Sequence, residues 1–191
     1  MNNNLPIRVL TSFAKDGEDN PGTIVCEEDD TMEARVVSGV AVSKDEAQIT
    51  LLRLNNTPGV VANVCKAMAN ENIMIDMIVQ GRSLNEDAAN LTFTVGERDL
   101  AKAVTALETL NNELGFKEIR TDNNVVKVSV VGVGMRSHTG VAQTMFDALA
   151  AEGINIEVIA TSEIKISVLV DSKYRELAVR ALHEAFELEK A

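Results

Sequence analysis

The chain has no tryptophan, and aromatic residues make up only 3% of it, five phenylalanines and one tyrosine. That leaves few flat side chains on which bases could stack, which argues against single-stranded nucleic-acid recognition. Positive charge is scarce as well: 18 Lys and Arg stand against 29 Asp and Glu, for a formal net charge of −11. Neutralising phosphates needs a basic face, so no nucleic-acid partner is expected. Cysteine is limited to Cys26 and Cys65, without metal-ligand spacing and too few for a disulfide framework. Cys65 falls on the apolar face of an expected helix and reads as a buried thiol. No apolar run approaches the ~18 residues of a membrane span. The start MNNNLPIRVL lacks a basic region followed by a long apolar stretch, so neither a signal peptide nor a membrane partner is expected and a cytoplasmic location is inferred.

What the chain does have is one motif written twice. Residues 48–78 read QITLLRLNNTPGVVANVCKAMANENIMIDMI and residues 129–159 read SVVGVGMRSHTGVAQTMFDALAAEGINIEVI, aligned without a gap at an offset of 81 (140 minus 59). In each copy a β-rich run reaches a polar loop and then Pro58-Gly59-Val60 or Thr139-Gly140-Val141. An alanine-rich helix follows, then Glu-Asn-Ile or Glu-Gly-Ile, then a strand carrying an acid, Asp76 or Glu157. A repeat of this kind is read before anything else because it sets the architecture. With 191 residues, 46% of them hydrophobic, there is room for one large or two small domains.

The first copy predicts strand 48–54, loop 55–58, helix 59–70, strand 73–80, strand 90–95, helix 98–114 and strand 116–121. Leu100, Ala103, Val104, Leu107 and Leu110 recur at helical spacing, and Gly115 supplies the stop. That order, βαββαβ, is the split βαβ of a ferredoxin-like fold. The second copy predicts strand 125–131, loop 132–139, helix 140–152, strand 154–160, strand 164–170 and helix 173–186. There the chain runs out one strand short. A spare strand, 36–42, followed by an expected turn at Ser43-Lys44-Asp45-Glu46, precedes the first copy. Strand counting therefore gives an α+β protein of two ferredoxin-like units in tandem, the first (47–122) inserted within the second (36–45 plus 124–191). Residues 1–35 differ: 6–13 could form one strand, and 14–33 are Asp/Glu/Gly/Pro-rich, broken by Thr23-Ile24-Val25.

A helix N-terminus presents unsatisfied N–H groups and partial positive charge, which suits a carboxylate. Gly59 and Gly140 permit close backbone approach there, and Pro58 preorganises its turn. An α-ammonium would need an acceptor nearby, for which Asp76 and Glu157 are acidic candidates and Asn56, Gln80, Asn155 and Ser162 polar ones. The bland alternative, a glycine that merely opens a helix, fits either loop alone; it is the joint repetition of loop, helix and acid that favours an amino-acid ligand. No catalytic constellation emerges. His138 lies in the second loop, where it could line a site, and His183 lies in the last helix, where it caps or packs; neither has a nucleophile beside it. There is no Walker loop and no zinc motif, so no metal or cofactor is expected. Gly132-Val133-Gly134 resembles part of a dinucleotide fingerprint but lacks the third glycine.

The stretches NTPGVVANVCKAMANENIMIDMIVQ and VSVVGVGMRSHTGVAQTMFDALAAEGINIEVIATSEIKISVLV resemble the tandem ACT domains at the C-terminus of monofunctional aspartate kinases. The Val-Gly-Met-Arg-Ser-His-x-Gly-Val loop, Thr161-Ser162-Glu163-Ile164 and Ala181-Leu182-His183-x-x-Phe186 carry the resemblance over 36–191; 6–13 and 22–24 look like the end of a kinase domain. The resemblance implies a regulatory subunit or fragment without phosphotransfer activity. It implies that lysine, threonine or both bind between the first ACT unit of one protomer and the second of its partner, as feedback inhibitors of aspartate phosphorylation. The partners implied are a second copy of the chain and an aspartate kinase catalytic domain or α subunit. A threonine-type site would take Asn56, Pro58, Gly59, Val60, Val61 and Gln80, completed by Asn155 and Ile156 of the partner's second unit. A lysine-type site would take Met135, Ser137, His138, Thr139, Gly140 and Val141 with Asp76, Thr161, Ser162 and Glu163. The family commonly has Asp where this chain has Asn56, a departure that implies weaker or altered threonine binding. A freestanding two-ACT regulator acting on another protein is the competing reading, against which the kinase-like 6–13 segment speaks.

Overall fold

The computed structural model describes residues 7–10, 22–25, 36–82, 87–136 and 138–188. Near its start, β1 (Ile7–Val9) pairs antiparallel with β2 (Thr23–Val25), Ile7 opposite Val25. The strand expected over 6–13 is thus three residues long, and the Thr-Ile-Val that interrupts the acidic stretch is its partner. Cys26 and the remainder of 26–35 lie outside the described residues.

From Gly39 on, the strands form one six-stranded antiparallel sheet. β3 (Gly39–Asn55), β4 (Ile75–Arg82), β5 (Ala88–Gly96), β6 (Glu118–Val131), β7 (Val158–Thr161) and β8 (Lys165–Asp171) stand in the order β4-β5-β3-β6-β8-β7. The two long strands belong to both units. β3 pairs with β5 and the first half of β6 from Glu46 onward, whereas Gly39 to Ser43 pair with the second half of β6. The spare strand therefore completes the second unit, as strand counting implies, and the first unit is inserted within it.

The turn expected at 43–46 does not form. Ser43-Lys44-Asp45-Glu46 stay in β3, where the register with β6 shifts between Ser43 and Glu46 and again between Glu46 and Gln48. Bulges absorb the extra residues and add twist without ending the strand, which a cluster of polar residues does not disclose.

Side chains alternate across the strands. On one face Ile49, Leu51, Leu91, Phe93 and Val95 bury against Val64, Met68, Ala103 and Leu107 of α1 (Val60–Asn70) and α2 (Leu100–Thr109). In the second unit Val126, Val128, Val130, Ile166, Val168 and Val170 pack on Met145, Leu149, Ala178 and Leu182. The last four belong to α4 (Val141–Ala151) and α5 (Arg175–Ala185); the first unit's second helix is followed by a short α3 (Asn111–Leu114). Each large side chain so buried contributes about 1.5–3 kcal/mol.

The helix expected over 98–114 is broken. A 3₁₀ turn covers Glu97–Asp99, α2 ends at Thr109, and Leu110, with φ −96° and ψ 7°, opens α3. The break turns Leu114 and Phe116 into the core, and Asn111 Oδ1 accepts the Phe116 N–H at 3.1 Å. A similar 3₁₀ turn, Ser172–Tyr174, shortens the helix expected over 173–186. Strands expected from 73 and 154 begin at Ile75 and Val158 because the preceding residues close the helices. Asn72 and Gly153 take left-handed backbone, while Ile73 N–H donates to Met68 O at 2.9 Å and Ile154 N–H to Leu149 O at 3.0 Å, a six-to-one helix stop repeated in both copies. Cys65 is half-buried rather than buried.

Among the described residues no helix covers the opposite face of the sheet, which curls on itself. Edge strands β4 and β7 lie against each other, and Met77, Val125, Val158 and Leu169 form a third, small core between them. Met77 is turned inward by a bulge between Asp76 and Val79, with φ +48°. Gly132, discounted above as a cofactor signal, has a packing role: a Cβ there would stand 2.3 Å from Val36 O and 2.7 Å from Val37 Cα.

Candidate functional site

The two repeated loops reach their helices in the same way. Gly59 precedes α1 with φ 96° and ψ −19°, and Gly140 precedes α4 with φ 97° and ψ −10°. That conformation is costly for any residue with a Cβ. Space is not the constraint, since a Cβ on either glycine would meet nothing within 4 Å. Neither N-cap glycine has a side chain to cap its helix, and neither first turn holds an acid. Backbone neighbours take part of the load: Val60 N–H donates to Thr57 O at 3.3 Å, and Asn63 and Thr144 N–H donate to Gly59 and Gly140 O, each at 2.9 Å. Two helix N-termini, each led by an exposed glycine, are places where a carboxylate would be favoured.

Around the first of them the structure brings Asn56 and Gln80 together, Gln80 Nε2 donating to Asn56 Oδ1 at 3.5 Å. Pro58 and Gly59 are exposed, Val61 is half-buried and Val60 is buried under the helix start. Asn155 and Ile156 lie on the other unit, between α4 and β7, where Asn155 Nδ2 donates to Glu157 Oε1 at 3.2 Å and Ile156 packs on the second core. Around the second helix start, Met135 sits in a 3₁₀ turn, Val133–Arg136, and packs on the same core. His138, Thr139 and Gly140 are exposed and Val141 is buried; Ser137 lies outside the described residues. Thr161 ends β7 and Ser162 and Glu163 lead on toward β8, all three exposed and tied by Ser162 N–H to Lys165 O at 2.7 Å.

Asp76 stands elsewhere. Its Oδ2 accepts from Lys127 Nζ at 2.7 Å and its Oδ1 from Met77 N–H at 2.8 Å. The Lys127 bond, opposed by partial burial, holds the Asp76 carboxyl below its ordinary range, and Lys165 adds to the effect. Lys127 also donates to Glu46 Oε1. Its side chain is 15% exposed and that of Glu46 8%, against 51% for Asp76. Burial works against the ammonium, yet the bonds to Asp76 and Glu46 raise its pKa above the ordinary lysine value. Nothing in the repeat pointed to Lys127. Its one sequence-level signal is its place: at the repeat offset of 81 it is the counterpart of Glu46 (127 minus 46).

Among the described residues no cluster of three or more His, Cys, Asp or Glu could hold a metal ion, and no helix is long and apolar enough to cross a membrane. Exposed apolar side chains fall at β1 (Ile7, Val9 and the adjoining Leu10) and on the two edge strands and their approaches, with Ile78 48% exposed on β4 and Ile159 44% on β7.

Comparison with known proteins meets this geometry on both units. The ACT domain family model matches residues 52–110 and 128–186. An aspartate kinase of Pseudomonas putida is 46% identical over 187 residues, covering 97% of this chain and 44% of the relative. An aspartokinase of Mycobacterium tuberculosis is 44% identical over 188 residues, with the same coverage of 97% and 44%. The chain thus spans less than half the length of these relatives. Among solved structures, aspartokinase alpha and beta subunits give 45% identity and a TM-score of 0.74, covering 80% of this chain and 99% of that one. The ligand-free regulatory subunit of aspartate kinase from Thermus thermophilus gives 42% identity and a TM-score of 0.74, covering 79% and 99%.

Proposed function

The chain belongs to the ACT-domain family, as a relative of aspartokinase regulatory subunits, and from that premise we propose that it is an amino-acid-sensing regulatory module. It binds the end-product amino acids lysine and threonine, one class at each helix start, and passes the signal to an aspartate kinase catalytic domain as feedback inhibition. The observation that carries this reading is the pair of helix N-termini opened by glycine, Gly59 at φ 96° and Gly140 at φ 97°, where a Cβ would meet nothing within 4 Å. A free amino acid offers the carboxylate that such a terminus favours. Its ammonium finds neutral acceptors at Asn56 and Gln80 in the first site, and the Thr161 and Ser162 hydroxyls and the Glu163 carboxylate in the second.

We infer that a second copy completes each site, a reading supported by the edges. β4 and β7 are the edge strands of the sheet and expose Ile78 and Ile159, and an apolar edge strand is a template for another strand. Pairing β4 of one protomer with β7 of another would bring Asn155 and Ile156 toward the Asn56 loop. The experiment is a thermal melt with lysine, threonine and both. A ligand at about 100 times its Kd stabilises by about 2.7 kcal/mol, a rise of about 5–11 °C for a chain of this size. No rise with any amino acid would remove the reading.

A further inference from the structure

Each unit has, inside the long shared strands, a stretch that is paired on one side only. In the first unit it is residues 118–122 of β6, which pair with β3, while β8 joins β6 only from Val125 on. In the second it is residues 39–43 of β3, which pair with β6, while β5 joins β3 only from Glu46 on. The two edges are equivalent in the fold and unlike in chemistry. Glu118, Arg120 and Asp122 put an exposed charge at every second position of the first, which is how an edge is guarded against a further strand. Gly39-Val40-Ala41-Val42-Ser43 carries no charge and no proline, and among the described residues no strand pairs with its outer side. Beside this unguarded edge a cleft of about 380 Å³ runs between β3 and α5. Val42 and Val179, both half-buried, give it an apolar lining. Lys44, Arg175, Arg180 and His183 add three cations and an imidazole. Among the described residues that line it Glu176 is the one acid, 88% exposed and bonded to Arg175 at 3.2 Å. In a chain of net charge −11, this local surplus of positive charge selects for a negative partner.

We propose that the edge at residues 39–43, with α5 as its wall, is a docking groove for an extended acidic segment of another protein, which adds a strand beside β3. A groove between an edge strand and a helix suits this mode of recognition: main-chain hydrogen bonds hold the peptide, and every second side chain enters the cleft. Five residues at about 3.4 Å each give a contact roughly 17 Å long. An acid at alternate positions of the added strand faces Lys44, Arg175, Arg180 and His183, with Val42 and Val179 beneath it. Self-assembly has its own edges in β4 and β7, which leaves this one for a different partner. Neither repeated loop lines the cleft, so the groove is separate from both candidate amino-acid sites and does not depend on them.

Fluorescence anisotropy with a labelled peptide of alternating glutamate and valine, about seven residues long so as to span the edge, tests this. The peptide should bind the wild-type protein, and backbone amide NMR signals should move over residues 39–44 and along α5 but not at Gly59 or Gly140. Lys44→Glu combined with Arg180→Glu reverses two exposed charges and should weaken binding at least about tenfold, since two ion pairs become two like-charge contacts. A peptide with lysine in place of glutamate should not bind. Methylating the peptide's backbone nitrogens at alternate residues should abolish binding in one of the two frames and spare it in the other, because only one set of N–H groups faces β3. These peptide arms use the wild-type protein and decide the matter even where the double variant does not fold. Equal binding of the lysine peptide, or of both methylated peptides, overturns the proposal. So does free glutamate moving the same amides at the same concentration, which makes the cleft a small-anion site. A wild-type dimer that the double variant dissociates also overturns it, as the groove is then an interface between copies. Absence of binding by the acidic peptide overturns it outright.

Discussion

Removing Lys127 should cost more stability than removing the charge of its exposed partner, Asp76. The Lys127→Met side chain would fill much of the same space but leave Glu46, 8% exposed, as a buried charge with no cation. Stripping one partner from a buried ion pair costs about 3–5 kcal/mol; with Asp76 51% exposed, the lower end applies. Asp76→Asn removes only the exposed arm and should cost under about 1 kcal/mol, as exposed pairs do. For a chain of this size those values correspond to a fall in Tm of about 6–12 °C for Lys127→Met and of no more than about 4 °C for Asp76→Asn. The pH dependence has a definite sign. Asp76, held below 3.8, contributes above that value and loses its contribution as pH falls through its folded-state pKa. Lys127, held above 10.5, contributes in full below that value and loses it as pH rises through its own folded-state pKa. The gap between wild type and Lys127→Met should therefore be flat across the neutral range and shrink at both extremes. Calorimetric melts of the three proteins from acid to alkaline pH would show it. Equal, small losses for the two variants would refute the buried-pair argument.

Other expectations follow from the loops and edges. Gly59→Ala and Gly140→Ala place a Cβ on backbone at φ 96° and 97°, which should cost about 1–2 kcal/mol each in denaturant unfolding; a neutral result would mean that these caps relax freely. Asn56→Asp should tighten threonine binding at the first site in calorimetry, since charge-assisted hydrogen bonds are about twice as strong as neutral ones, and unchanged affinity would count against that site. Ile78→Lys puts a charge on the exposed edge of β4 and should shift sedimentation toward monomer; a dimer of wild-type strength would show that another surface mediates assembly.

Much of this fold can be read from the repeat alone. Two copies of loop, glycine and helix set two like units, and the missing last strand of the second copy points back to the residues before the first. The helix starts at Gly59 and Gly140 were equally legible, because only glycine suits that backbone before a helix. The continuity of β3 through Ser43-Lys44-Asp45-Glu46 was not: a bulge disturbs the period of two in the way a turn does, and charged residues favour both readings. The break at Leu110 was hidden for a similar reason, since Leu107, Leu110 and Leu114 keep helical spacing across it. Lys127 was invisible because its contact with Asp76 arises from the coil of the whole sheet. That curvature is a property of six strands packed together, and no local pattern records it.

The amino-acid-sensing reading is most directly tested by calorimetric titration of lysine and of threonine into the protein. The account predicts saturable heat for at least one of them, diminished when Gly59 or Gly140 is replaced by alanine. Titrations of both amino acids that return only heats of dilution would contradict it.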